Sequence, residues 1–496
     1  MWRRSTLAIT FAGVLALPLA PVVAAGPNVV AKGSWSMVEM TKDVNHDGVI
    51  DGDGGVPKSG ALSLTPSKQI VGTGNHIAQP NERLIGGTLS WYLSPAGFPV
   101  SLNACASTGD SYQWTLRNSA HQVVAALVKK PLTSKTCRTR VTLPEGDYTF
   151  TLNVWTGSHI SSIDLPARVN NIVFLSLGDS YASGEGNPRN VDAWITQGGL
   201  FSTFTPYWDE SGCHRSVRGA PALAALALEK VSPQTSVTLV DVSCSGATIR
   251  QGILGTQPGT SQSQVALAKT ILGNQSVDVI SLSIGGNDVG FGSVLNSCFT
   301  TANCPLAKPS AGPLQNYPTL NAGVSDQTTK LANAYADVAN CLAGKTCTNA
   351  PTLSPTASVL PTLYPDIARN SNGSICSYLT MTQEDFSWAR SSMLNPAPPT
   401  SVTYRTSAQT SVALPVSSSL NQQISNTVNL GWKPVTASWT RSGDSPIGHG
   451  ICAGSQSWVF GVQLGGSMVG AAFHPNPTGQ TQIAASIVEA AKLATA

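Results

Sequence analysis

The run Phe174-Leu175-Ser176-Leu177-Gly178-Asp179-Ser180-Tyr181-Ala182-Ser183-Gly184-Glu185-Gly186 joins an apolar segment to a turn rich in small residues. Residues 172–177 are almost continuously apolar, the pattern of a strand covered on both faces. Gly178 permits a sharp turn at the strand's carboxyl end, where open α/β sheets bind their ligands. The Ser180 hydroxyl then stands at the head of the following turn or helix, near backbone N–H groups without helical partners. An α/β-hydrolase elbow, G-x-S-x-G, requires glycine where Ala182 stands, so a different serine turn is expected. Taken alone, a G-D-S turn is also the signature of a simple helix cap.

Downstream, apolar runs at 236–242, 277–284 and 358–363 alternate with helical patterns at 220–228, 264–272, 328–342 and 480–493. Buried strands alternating with helices predict an α/β fold: a three-layer α/β/α domain over 170–496, flavodoxin-like in outline. Upstream the pattern changes. Short alternating runs at 87–93, 111–116, 122–128 and 147–154 are separated by turn residues, which reads as an all-β sandwich domain over 26–169. Trp114 lies between Cys105 and Cys137, the arrangement of an aromatic packed on an inter-sheet disulfide. This part resembles the immunoglobulin-like or polycystic-kidney-disease-like modules of secreted enzymes. The proline-rich stretches 351–361 and 396–399 read as surface loops.

Residues 1–25 carry the pattern of a signal peptide. Arg3 and Arg4 precede an apolar stretch from Leu7 to Val23, broken by Pro18 and Pro21, and Val23-Ala24-Ala25 offers the small residues that signal peptidase reads. Export to the extracellular space or a periplasm is expected. A membrane anchor is the alternative, disfavoured by a short, proline-broken run, and no later segment is apolar for long enough to form a transmembrane helix. Loss of the leader leaves 27 basic residues against 26 acidic ones, so the mature chain has no electrostatic reason to hold nucleic acid or an anionic membrane. The ten cysteines agree with export, and none lies in a C-x-x-C pair, which argues against a zinc ribbon. Their spacing suggests Cys105–Cys137, Cys213–Cys244, Cys298–Cys304, Cys341–Cys347 and Cys376–Cys452, although spacing alone does not settle connectivity.

Three further segments bear on Ser180. Cys244-Ser245-Gly246-Ala247 follows the second predicted strand, Gly285-Gly286-Asn287-Asp288 the third, and Phe473-His474-Pro475-Asn476 precedes the last helix. All can converge on one crevice at the carboxyl edge of the sheet. Together with the 174–186 block, and with Cys213-His214-Arg215-Ser216, they resemble the SGNH, or GDSL, hydrolase family, especially its secreted bacterial lipase-like members. The match runs from Ile172 to the C-terminus, with 298–440 less recognisable. The resemblance implies Ser180 as nucleophile and His474 as base, with the backbone N–H groups of Ser180 and Gly246 and the Asn287 amide as oxyanion donors. It implies hydrolysis of a carboxylic ester through an acyl-serine intermediate, with no cofactor required for catalysis. The substrate is a lipid or simple ester on the block resemblance, with acylated glycans as the alternative. A catalytically inactive binding protein on the same scaffold is the reading from another class, and the intact Ser180, Gly246, Asn287 and His474 set argues against it.

One position departs from the family pattern. Many members place Asp three residues before the His, and here that residue is Ala471. A backbone carbonyl around Ala471 is the favoured support for the imidazole, and a remote carboxylate such as Asp444 or Asp366 is the alternative. Asp179 reads as a turn residue, His214 as structural, Glu185 as an organiser of the active-site loop, and His449 as a loop residue. In the N-terminal part, Asp43, Asn45, Asp47 and Asp51 fall at positions one, three, five and nine of a calcium loop, with Gly48 at its turn and Gly54 where the bidentate Glu belongs. A structural calcium site and an acidic surface loop both fit that stretch.

Overall fold

The computed structural model describes residues 28–43, 46–50, 84–85, 88–89, 97–196, 204–310, 312–436, 448–463 and 468–495. The expected signal peptide, residues 1–25, lies outside the described residues, as does most of the run expected at 87–93, of which Thr88–Leu89 pairs with Leu84–Ile85. The chain forms two compact units that do not divide at a single point. Of the described residues, the first takes in 28–34, 102–139 and 148–166, and the second takes in the rest.

In the first unit, β1 (Ser111–Asn118) is flanked by β2 (Val123–Ala126) and β3 (Gly146–Thr156), all antiparallel, with β1 and β3 in register from Ser111↔Trp155 to Asn118↔Tyr148. Successive strand side chains point to opposite faces, so Tyr112, Trp114 and Leu116 turn inward together and are buried. The Trp114 ring lies over Gly33, where a Cβ would fall 2.7 Å from it.

In the second unit the sheet is parallel. The end of β4 (His159–Gly178) pairs with β5 (Thr235–Asp241) on one side and β6 (Ser276–Ser283) on the other, and β6 pairs with β7 (Thr352–Pro361). The order β5-β4-β6-β7 is that of a doubly wound sheet with its switch point beside β4. Helices around it include α1 (Ser180–Ser183), α2 (Ala220–Glu229), α3 (Gln264–Leu272), α4 (Phe291–Thr300), α5 (Leu320–Leu342) and α6 (Pro477–Thr495). Alternation along β4 feeds two cores. Val173, Leu175 and Leu177 pack in the cluster that holds Val265 of α3 and Leu331 of α5, while Ile172 and Phe174 pack in the cluster that holds Ala224 of α2 and Ile487 of α6. Helices therefore cover both faces, as the apolar runs required.

Two elements differ from the sequence pattern. Helix α5 starts at Leu320, eight residues before the expected 328, because the Thr319 hydroxyl caps it by accepting the Ala322 N–H at 3.2 Å. Leu320 and Val324 continue its buried stripe through residues of weak helix propensity such as Gly323 and Ser325. The stretch 351–361, expected as a surface loop although the strand-like run 358–363 overlaps its end, contains the whole of β7. Pro355 is tolerated there because the register jumps from Val277↔Leu353 to Val279↔Ser358, which leaves 354–357 outside the ladder of an edge strand.

All five expected disulfides are present. Among the described residues, no helix is long and apolar enough to cross a membrane. Loop closure predicts unequal contributions from the cross-links. Cys376–Cys452 spans 76 residues and Cys298–Cys304 only 6, so replacing the first pair by alanines should destabilise by about 4 kcal/mol and the second by about 2 kcal/mol in urea unfolding. The reverse order would show that loop entropy does not govern these bonds.

Candidate active site

The serine turn is built on a close approach. Gly178 has φ +148°, and a Cβ there would fall 2.3 Å from the Ser283 carbonyl oxygen at the end of β6. No other residue fits. The Asp179 N–H donates to that same oxygen at 2.8 Å, and the Gln264 side-chain amide grips the Gly178 peptide at both ends, accepting its N–H at 2.8 Å and donating to its carbonyl at 2.7 Å. Asp179 then caps α1, accepting the Tyr181 N–H at 3.0 Å on one oxygen and the Tyr364 hydroxyl on the other. The Tyr364 oxygen in turn accepts the Gly286 N–H at 3.0 Å. Asp179 is the turn residue its position suggested, and it also links the serine turn to the 285–288 turn. Burial pushes its carboxyl up to about 7, against the pull of the Tyr364 and Tyr181 hydrogen bonds.

The next two turns are fastened to each other. The Cys213–Cys244 bond and the Ser245 N–H to Cys213 carbonyl contact, 3.0 Å, hold the first, in which Gly246 takes φ +80°. The Asn287 side-chain amide donates to the Ala247 carbonyl at 2.9 Å, and the Asp288 carboxylate accepts the Ile249 N–H at 3.0 Å. Gly246 and Asn287 both line a cleft of about 820 Å³ whose walls include Arg250, Asn296, Gln327 and Lys330.

His474 approaches from the segment before α6. Its Nε2 lies 2.8 Å from Ser180 Oγ and its Nδ1 lies 3.1 Å from the Ala472 carbonyl oxygen. A carbonyl only accepts, so Nδ1 carries the proton and the Nε2 lone pair faces the serine hydroxyl. The supporting carbonyl belongs to the residue after Ala471. Asp366 is engaged elsewhere, by Arg369 at 3.1 Å and Arg390 at 2.6 Å, and Asp444 lies outside the described residues. Burial pushes the His474 imidazole below its ordinary value, more than the nearby Glu185 charge and the backbone acceptors raise it. Tyr181 donates its hydroxyl to the Phe473 carbonyl at 2.8 Å, and Asn187 Nδ2 donates to the Pro475 carbonyl at 2.8 Å. Phe473 holds a left-handed φ of +63°, which its buried ring makes tolerable by packing against Phe299 and Tyr378. A serine hydroxyl aimed at a neutral imidazole, itself oriented through its other nitrogen, can deliver an activated oxygen to an electrophile.

The remaining flagged residues sit as follows. Glu185 is buried with Oε2 2.7 Å from His214 Nδ1, and the His214 ring stacks on Trp208. His449 stacks on Trp458 and bonds through Nδ1 to the Gln456 carbonyl at 2.8 Å, within a loop. Asp43 accepts the N–H groups of Asp47 and Gly48 and pairs with Lys230 Nζ at 3.1 Å, while Asn45 and Asp51 lie outside the described residues. Sequence reasoning missed Tyr181, Tyr364, Asn187 and Gln264. Tyr364 follows β7 by three residues, on the edge where ligands bind, and that position was the available signal. Gln264 opens a helix like many others and carried none.

No family model and no curated protein matches the sequence. Solved structures similar to this one include an extracellular lipase from Streptomyces rimosus, at 19% identity and TM-score 0.38 over 64% of this chain and 99% of that one. They also include phospholipase A1 from Streptomyces albidoflavus NA297, at 20% identity and TM-score 0.37 over 64% and 98%. A carbohydrate esterase aligns over 84% of this chain and 94% of its own, at 14% identity and TM-score 0.26.

Asp179 makes a pH-dependent contribution whose sign is fixed. Its folded value lies above its unfolded one, so the folded state binds the extra proton and stability falls as pH rises from about 4 to 7. Asp179→Asn should flatten that fall, measured as urea midpoints at pH 5 and pH 8. An unchanged difference between the two midpoints would assign the pH dependence to other groups.

Proposed function

We propose that this chain is an exported serine ester hydrolase. The observation that carries the reading is the 2.8 Å hydrogen bond between Ser180 Oγ and His474 Nε2. As Ser180 Oγ bonds to the ester carbonyl carbon, Nε2 takes the hydroxyl proton and the carbonyl oxygen becomes an oxyanion. Collapse of the adduct breaks the bond to the leaving alkoxide, which receives that proton from His474. Water then repeats the sequence on the acyl-serine and releases the carboxylic acid. The Ala472 carbonyl does the orienting work of a third triad member, a role in which tautomer and direction matter most. Because burial holds His474 below its ordinary value, the base is unprotonated through neutral pH.

The proposed oxyanion donors are the backbone N–H groups of Ser180 and Gly246 and the Asn287 amide. The Asn287 to Ala247 bond supports this by fixing the two turns as a pair. The leader pattern of residues 1–25 and five disulfides support export. The N-terminal strands are proposed as an accessory β-sandwich, and residues from 170 as the hydrolase domain. A lipid or simple ester is the first substrate class. An acylated glycan is the alternative class, for which Arg250, Asn296, Gln327 and Lys330 in the cleft beside Gly246 and Asn287 offer hydrogen-bonding groups.

A fluorophosphonate probe should label the folded protein and fail on Ser180→Ala. In a panel of p-nitrophenyl esters run beside phosphatidylcholine and acetylated xylan, Asn287→Ala should lose about 10²–10³ in kcat on whichever ester is cleaved. Turnover of none of these by the folded protein would sink the proposal.

For the acidic loop we propose a structural role without calcium. The Lys230 ammonium at 3.1 Å already supplies Asp43 with the positive charge an ion would bring. Tm should not move on calcium titration, and a rise would assign the loop to the ion.

A further inference from the structure

We propose that Glu185 is a positioning residue, a buried carboxylate that supplies His474 with the negative charge absent at Ala471. The inference rests on the Ser180–His474 reading above. The Glu185 N–H closes the serine turn by donating to the Ser180 carbonyl at 3.0 Å, and its side chain is only 6% exposed. One carboxylate oxygen lies 2.7 Å from His214 Nδ1. The other lies against Gly470, where a Cβ would come within 2.7 Å of it. Gly470 sits in the turn Val469–Ala471, whose backbone faces His474, so this glycine makes room for the carboxylate beside the imidazole's own support. Ser245, next to Gly246, completes the contacts with a side-chain hydrogen bond. One buried charge therefore touches the segments that carry Ser180, Gly246 and His474.

A triad acid does two things: it fixes the imidazole tautomer and it stabilises the imidazolium formed during reaction. Here the jobs are separated. Nδ1 is committed to the Ala472 carbonyl, which orients but carries no charge. Glu185 acts through space, where low dielectric makes its field strong. Burial alone would raise the Glu185 carboxyl, but the His214 hydrogen bond and the charges of His474 and His214 hold it below the usual carboxylate range, so it stays ionised.

Among the described residues, the charged groups acting on this pair are these. Glu185 acts on His474, His214 faces Glu185, and Glu210 acts on His214. Asp179 takes its bonds from Tyr181 and Tyr364. His214 is half-exposed, and its bond to Glu185 raises its own pKa. Its protonation cancels part of the field on His474.

Two variants should therefore move His474 in opposite directions. NMR titration of the His474 imidazole in the full chain should show it titrating about one pH unit lower in Glu185→Gln and higher in His214→Asn. With p-nitrophenyl acetate, Glu185→Gln should lose about tenfold or more in kcat with little change in KM. The acid limb of its kcat/KM profile should move to lower pH. A folded Glu185→Gln whose His474 titration and acid limb do not move overturns the proposal. If Glu185→Gln does not fold, His214→Asn decides, and an unmoved His474 there overturns it as well. Absence of ester turnover by the parent protein would sink the hydrolase reading instead, and the NMR titrations would still decide whether Glu185 sets the imidazole.

Discussion

The Gly178 α-carbon passes so close to the Ser283 carbonyl that no side chain can stand there, and the candidate site depends on that approach. It is a consequence of parallel pairing. Adjacent strands β4 and β6 end together, so the chain leaving β4 must cross the end of β6 before it can turn. The Asp179 N–H bond to the same oxygen and the two-ended grip of Gln264 convert a crossing into a fixed geometry. From there the constraint spreads outward by hydrogen bonds: Asp179 to Tyr364, Tyr364 to Gly286, Asn287 to Ala247. The first two links are buried and the third partly so, and together they couple a displacement at one turn to the next.

Tyrosine is the residue that makes these long-range links. Tyr181, Tyr335 and Tyr364 are all buried, and burial raises their pKa values, so each remains a protonated donor. They reach the Phe473 carbonyl, the Ile284 carbonyl and the Asp179 carboxylate. A phenol suits this task because its ring fills core volume while its hydroxyl satisfies a polar group on the far side. Tyr181 does so directly beside the serine, with its ring 5.3 Å from that of His474.

Much of the parallel sheet was legible in the sequence because strands covered on both faces must be apolar throughout, and 236–242 and 277–284 match β5 and β6 to within a residue. The turns at Gly178, Gly246, Asn287 and His474 were legible because each joins a glycine-rich or proline-marked segment to the edge of that sheet. What was hidden is tertiary. Gln264 and Gly178 are 86 residues apart, and Tyr364 and Asp179 are 185 apart, with no local pattern marking either pair. The Ala472 carbonyl was hidden for a different reason: every residue has one, so only the fold can select it. The division into units was also hidden, since the described residues 97–101 and 140–147 group with the parallel sheet although their strand-like pattern continues that of their neighbours.

Ser180 and His474 stand 294 residues apart in the chain, and His474 lies just before the last helix. At about 5–20 residues per second, the serine leaves the ribosome roughly 15 to 60 seconds before the histidine does. Helix α6 supplies Ile483, Ile487 and Ala491 to the core it shares with α2, so that core too needs the segment that follows His474. Until those two segments meet, Ser180 has no imidazole beside it, because only the folded arrangement brings together residues so far apart in sequence.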